Sequence, residues 1–116
     1  NVEWVELHTG SFANIYAMLF SGLSNTHHSI KELELPRKEL SALLDISLQD
    51  ITDAANHANS IGLKVAAGHG LNYQNTPYMT AISSIEELNI GQSIIARSVF
   101  TGLERAIIEM KELVSK

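Results

Sequence analysis

Two glycines flank His69 in the run Gly68-His69-Gly70. An imidazole titrates near neutrality, and neighbours without side chains leave room for a substrate beside it, so His69 is the leading acid–base candidate. Its plainer role is that of a loop histidine making a structural hydrogen bond. Glu6 sits near the end of an otherwise apolar stretch, where a carboxylate needs either a salt-bridge partner or a chemical task. His8 lies two residues on and shares its face in an extended strand, so Glu6, His8 and His69 also form a conceivable metal set, although ligands on separate strands have no diagnostic spacing. Gly70, Gly91 and Gln92 suggest anion binding: a glycine before a helix start offers free N–H groups and the positive dipole end to a phosphate. The same glycines also suit tight turns. Arg97 stands about one turn into that helix, where it can meet an anion or pair with a carboxylate, and it is not assigned to the site. His27-His28 and His57 read as a solvated loop pair and a helix-surface residue.

These residues must be positioned by alternating strands and helices. Residues 2–7 are rich in β-branched and aromatic types, and Glu3 and Glu6 do not share a face, which predicts a buried strand ending at His8-Thr9-Gly10. Phe12, Ile15, Tyr16, Leu19, Phe20 and Leu23 recur at helical spacing, and residues 22–36 have loop composition. A helix is expected from Pro36 to Gly62, with Ser47 and Asp50 placed to cap a second helix if the chain breaks near residues 45–47. Residues 63–67 predict a second strand, residues 73–81 a loop and short helix, and residues 85–90 a third strand ending at Gly91. A short helix over residues 92–99 precedes a final one with Leu103, Ala106, Ile107, Met110, Leu113 and Val114 on its apolar face. Thr101-Gly102-Leu103-Glu104 has capping-box spacing.

Strands separated by helices argue for a parallel sheet, whose ligands lie beyond the carboxyl ends of the strands. Three strands do not close such a sheet. A (β/α)8 barrel takes roughly 250 residues, so this chain has the size of three β/α units. In such barrels a phosphate site commonly follows strands seven and eight beside a short extra helix, an arrangement shared by Gly70, Gly91 and the helix from Gln92.

Composition limits the partners. Of 116 residues, 45% are hydrophobic and 18% charged, which fits one globular domain at most. Eight Lys and Arg against 13 Asp and Glu give a formal charge of −5, which disfavours nucleic acid. The absence of cysteine excludes a disulfide framework and thiolate zinc sites and fits a reducing compartment, with a cytoplasmic location expected. No apolar run reaches the ~20 residues of a membrane span. The opening Asn1, followed at once by Val2, Trp4 and Val5, reads as a start in mid-fold, so residues 1–116 are expected to be a portion of a single barrel domain.

Three motifs make the sequence recognisable: VELHTGSFA (residues 5–13), GLKVAAGHGLNYQN (residues 62–75) and ELNIGQSIIARSVFTGLERAIIEMK (residues 87–111). In order and spacing they resemble the last three β/α units of the pyridoxine 5'-phosphate synthase family, with a longer connection between residues 14 and 44. The resemblance implies a (β/α)8 (TIM) barrel that condenses 3-amino-2-oxopropyl phosphate with 1-deoxy-D-xylulose 5-phosphate, giving pyridoxine 5'-phosphate, inorganic phosphate and water in vitamin B6 synthesis. It implies no metal and no organic cofactor. By motif, His69 corresponds to the proton donor, Glu6 to a transition-state-stabilising carboxylate, and Gly70, Gly91 and Gln92 to contacts with the aminoketone phosphate, Gln92 replacing a histidine. The family's proton-accepting histidine and glutamate and its basic phosphate ligands come from the first five strands, whose motifs are not in this sequence. Partners are therefore the missing N-terminal half of the barrel and phosphorylated substrates, within a homo-oligomer, and the isolated chain is expected to be inactive. Two other readings stand beside this one. One is a sugar-phosphate isomerase or aldolase on the same barrel; the other is a non-catalytic interaction module using the stripe from Phe12.

Overall fold

The computed structural model describes residues 3–21, 26 and 29–115; Val2, Leu23 and the pair His27-His28 lie outside them. The elements run β1 (Trp4–His8), α1 (Gly10–Phe20), a 3-10 turn (Lys31–Leu33), α2 (Arg37–Ser60), β2 (Lys64–Gly68), α3 (Thr76–Thr80), β3 (Ile85–Asn89), α4 (Gln92–Thr101) and α5 (Leu103–Val114). The three strands pair in the order β1-β2-β3, all parallel. Parallel neighbours require crossovers, which here pass through α1 and α2 and then through α3. This is an α/β fold with β2 in the middle.

Register decides which side chains meet. Trp4, Glu6 and His8 lie beside Lys64, Ala66 and Gly68, and Ala66 and Gly68 lie beside Glu87 and Asn89. An irregularity between Val65 and Ala66 leaves Glu86 as the extra residue of β3. The other face of the sheet, with Val65, Ala67 and Ile85, packs into a core with Phe12, Ile15 and Leu19 of α1 and Leu44, Ile51 and Ala55 of α2. Phe12 is fully buried, and its ring meets those of Tyr16 and Tyr78. The stripe on α1 thus behaves as its period predicts as far as Leu19, whereas Phe20 is 53% exposed.

Three local expectations are corrected. The first strand is only partly buried, and on one face: Val5 and Leu7 pack against the core, whereas Trp4, Glu6 and His8 are exposed because the helices pack on the opposite side. Helix α2 runs unbroken through residues 45–47, so Ser47 and Asp50 cap nothing; Leu40, Leu44, Leu48 and Ile51 keep one apolar face in phase across the doubtful stretch. The capping box at Thr101 does not form either. Thr101 ends α4, its hydroxyl donates within its own turn to the carbonyls of Arg97 and Gly102, and Gly102 at φ 84° starts α5 directly.

The molecule is a slab of 47 × 36 × 19 Å with a radius of gyration of 15.1 Å. A closed globule of this length would have a radius nearer ~13 Å, and 19 Å is the thickness of one sheet and one helical layer. Helices α4 and α5 pack on each other, α5 burying Ala106 and Met110, while Val99 (79% exposed) and Phe100 (84% exposed) on α4 turn outward. No helix among the described residues is long and apolar enough to cross a membrane.

An ion pair ties α4 to α5. Arg97 donates from Nε to Glu109 at 3.0 Å and Arg105 adds a second contact at 3.5 Å, which settles Arg97 as a partner of a carboxylate. The hydrogen bond from Arg97 holds the Glu109 carboxyl below its ordinary range; the charges of Arg97 and Arg105 support this, against partial desolvation. A carboxyl so lowered contributes to stability above its unfolded-state value and loses that contribution as pH falls through the folded one. Glu109 should therefore titrate below exposed glutamates in an NMR pH series, and Arg97→Gln should shift it up towards their range. Unchanged titration in Arg97→Gln would show that the pairing has no hold on it.

Candidate active site

The carboxyl ends of all three strands open on the same edge of the sheet, and each ends in residues that do not continue a regular strand. At the end of β2 the backbone turns left-handed twice. His69 has φ 90° and is the one residue other than glycine with positive φ among the described residues; Gly70 follows at φ 80°. A side-chain-bearing residue in that region costs on the order of 1–3 kcal/mol and persists only where its surroundings enforce it. The surroundings come from the neighbouring strand end and from the next loop. Thr9, fully buried, places its hydroxyl 2.8 Å from the carbonyl oxygens of both Gly68 and His69, and its N–H donates to Gly68 at 2.8 Å. Asn75, also fully buried, donates from Nδ2 to the Gly70 carbonyl at 3.2 Å and accepts the Asn72 N–H at 2.8 Å. Asn72 returns the contact by accepting the N–H groups of Gln74 and Asn75.

The imidazole of His69 stacks on that of His8, with centroids 4.2 Å apart and planes at 30°. The N–H of Gly10 donates to Nδ1 of His8 at 3.3 Å, which leaves that nitrogen as an acceptor and the proton of a neutral ring on Nε2. A Cβ at Gly10 would stand 2.7 Å from His8 and 3.0 Å from His69, so the chain passes under both rings only as glycine.

Glu6 reaches across the small middle strand. A Cβ at Gly68 would come within 2.9 Å of both Glu6 Oε1 and the Asn89 side chain, and Asn89 Nδ2 donates to Glu6 Oε1 at 3.3 Å. The carboxylate therefore lies over the backbone that leads into His69, with an amide rather than a cation as its neighbour. This is the salt-bridge alternative answered in the negative for the described residues: the ion pairs among them join Arg97 and Arg105 to Glu109. Nor do Glu6, His8 and His69 form a metal set, since no group of three such ligands converges among the described residues.

Gly70, Gly91 and Gln92 line one cavity of about 470 Å³, walled also by His69, Asn72, Asn89 and Ser93. The first bond inside α4 runs from the Ile95 N–H to the Gly91 carbonyl, so the N–H groups of residues 92–94 have no partner within the helix. Ser93 Oγ is buried in this wall without a hydrogen-bond partner. N–H groups without a helical partner and the positive end of the helix dipole at one wall are of the kind that attract an anion. The two glycines differ in their reasons. Gly70 is forced, by positive φ and by Ala13, whose Cβ would lie 2.6 Å from an added methyl; at Gly91 φ is −139° and an added methyl would meet nothing within 4 Å.

The sequence pattern therefore brings Glu6, His69, Gly70, Gly91 and Gln92 to one edge. It missed Thr9, Asn75, Asn89 and Ser93. Only the loop motif Asn72–Asn75 carried a local signal, since asparagines three apart commonly hold a turn.

The sequence matches the family model described as Pyridoxal phosphate biosynthesis protein PdxJ over residues 1–116. Proteins named pyridoxine 5'-phosphate synthase are similar to it: that of Aliarcobacter butzleri (strain RM4018) is 66% identical over 113 residues, 97% of this chain and 43% of that protein. That of Sulfurimonas denitrificans (strain ATCC 33889 / DSM 1251) is 63% identical over 114 residues, 98% of this chain and 44% of the relative. The chain thus spans less than half the length of the curated relatives it matches, and these alignments include the connection between residues 14 and 44.

The two glycines give a test of the geometry. Gly70→Ala in the full-length protein should lower unfolding stability by about 1–3 kcal/mol, and Gly91→Ala by no more than about 0.5 kcal/mol. Chemical denaturation measures both; equal losses would mean that Gly91 is as constrained as Gly70.

Proposed function

Since this chain belongs to the PdxJ family of pyridoxal phosphate biosynthesis proteins, we propose that it is the carboxy-terminal portion of a pyridoxine 5'-phosphate synthase. In this reading residues 1–116 supply the last three units of a (β/α)8 barrel and about half of its active site. The enzyme condenses 3-amino-2-oxopropyl phosphate with 1-deoxy-D-xylulose 5-phosphate to give pyridoxine 5'-phosphate, inorganic phosphate and water. The observation that carries the reading is the convergence of Glu6, His69 and the cavity at Gly91 on one edge of a parallel sheet.

The chemistry assigns the parts. Ring closure needs imine formation between an amine and a ketone, loss of phosphate and water, and repeated proton transfers, so the site must hold two phosphates and move protons between fixed points. The wall at Gly91, Gln92 and Ser93 takes the aminoketone phosphate through backbone N–H groups, with Gly70 opposite; a backbone contact makes the identity of residue 92 secondary. His69 donates a proton to a departing oxygen. Glu6, held by an amide and paired with no cation among the described residues, places a negative charge where a cationic imine develops.

The remaining parts lie outside residues 1–116. Proton acceptors and the basic groups for the second phosphate come from the earlier strands, and closure of the barrel turns Trp4, Glu6, His8 and Asn89 from an open face into an interior one. The same strands and helices cover Val99 and Phe100. The chain alone is inactive, the enzyme works without a metal or organic cofactor, and whole barrels assemble as a cytoplasmic homo-oligomer.

The test uses the full-length protein. His69→Ala should lower turnover by about 10²–10⁴-fold, with pyridoxine 5'-phosphate followed as product, and Glu6→Gln by about 10²-fold or more. Turnover within about threefold of the unmodified enzyme for either variant would remove that residue from the mechanism. Sugar-phosphate isomerisation or cleavage without pyridoxine 5'-phosphate would replace the reaction.

A further inference from the structure

We propose that Thr9 is a positioning residue of this active site, acting through the backbone of His69 rather than on substrate; the consequence for turnover rests on the reaction proposed above. Thr9 occupies the N-cap of α1, where a threonine hydroxyl ordinarily accepts from an N–H of the first turn. Here it makes no such bond. The hydroxyl points away from its own helix to the end of β2, 2.8 Å from each of the Gly68 and His69 carbonyls, so one proton serves two acceptors. The side chain that would have strengthened a helix start instead fixes the peptide on both sides of the His69 Cα.

That peptide needs fixing. At φ 90° His69 lies in a region L residues leave readily, and relaxation to negative φ would swing its imidazole away from the cavity edge and off the His8 ring. Three contacts oppose the swing: the Thr9 hydroxyl on the His69 carbonyl, the Asn75 amide on the Gly70 carbonyl, and the stack of His8 on His69. Thr9 is central to them because its own N–H also locks β1 to β2 at Gly68, and because it is fully buried, where no water can take over the hydroxyl's place. A side chain held at a strained backbone position by a neighbouring strand is preorganised: its direction is set before substrate arrives.

The measurement compares Thr9→Val, which removes the hydroxyl at similar shape, with Thr9→Ser, which retains it, in the full-length protein. Thr9→Val should lower kcat by about 10- to 100-fold while KM for both substrates stays within about twofold, and Thr9→Ser should recover kcat to within about threefold. Melting curves establish the folded fraction. A Thr9→Val kcat equal to that of the unmodified enzyme overturns the proposal, as does an equal loss in Thr9→Ser or a loss that only follows the folded fraction. If Thr9→Val does not fold, Thr9→Ala takes its place, and failure of both to fold assigns Thr9 to stability alone. If the unmodified protein makes no pyridoxine 5'-phosphate, the proposed reaction falls, and a crystal structure of Thr9→Val judges the clamp by itself. Loss of positive φ at His69 supports it, and retention of φ near 90° overturns it.

Discussion

The end of β2 leaves no space for a side chain at Gly68 and no ordinary backbone at His69, and the rest of the edge is arranged around that constraint. Side chains from β1 and β3 close over Gly68, which is why Glu6 and Asn89 can meet across the middle strand. One residue later the chain turns left-handed twice, which allows α1 to approach Gly70 through Ala13 and sends the loop on to Asn72 and Asn75. A larger middle strand would separate Glu6 from Asn89. An unstrained turn would direct His69 elsewhere. Small residues in β2 are thus the condition for a polar site assembled from three separate strands.

The same sheet is complete on one side only. Its helix-facing side has a packed core, while the opposite side displays Trp4, Glu6, His8, Glu87 and Asn89. Large exposed apolar groups on α4 and α5 add surface of the kind that other structure covers. Relatives that match over nearly all of this chain are more than twice as long. The open face and the exposed helices are two views of one fact about the molecule, a single sheet with a single helical layer.

Much of this was legible in the sequence. Periods of two and 3.6 gave three strands and the helices between them, and glycine-bounded strand ends gave the edge where Glu6, His69, Gly70, Gly91 and Gln92 gather. What was not legible depended on distant partners. The two-residue period assigns Glu6 to a face but cannot say whether anything covers that face, so β1 was expected to be buried and is half open. Ser47 and Thr101 have the types that cap helices, yet the continuing phase of Leu44, Leu48 and Ile51 carries α2 through the first, and the positive φ of Gly102 joins α4 to α5 without the second. Thr9 is the clearest case. Its type and place predict a helix cap, while its hydroxyl bonds to residues 59 and 60 positions away, a pairing that exists only once β1 lies beside β2.

The central claim is that one edge of this sheet holds a substrate phosphate at α4 and presents it to His69 and Glu6. A crystal structure of the full-length protein with 3-amino-2-oxopropyl phosphate tests it most directly. The account predicts the phosphate against the N–H groups of residues 92–94 and beside Gly70, with the His69 imidazole and the Glu6 carboxylate facing the carbon and nitrogen atoms of the ligand. A phosphate bound elsewhere in the barrel, or a ligand out of reach of both side chains, would contradict it.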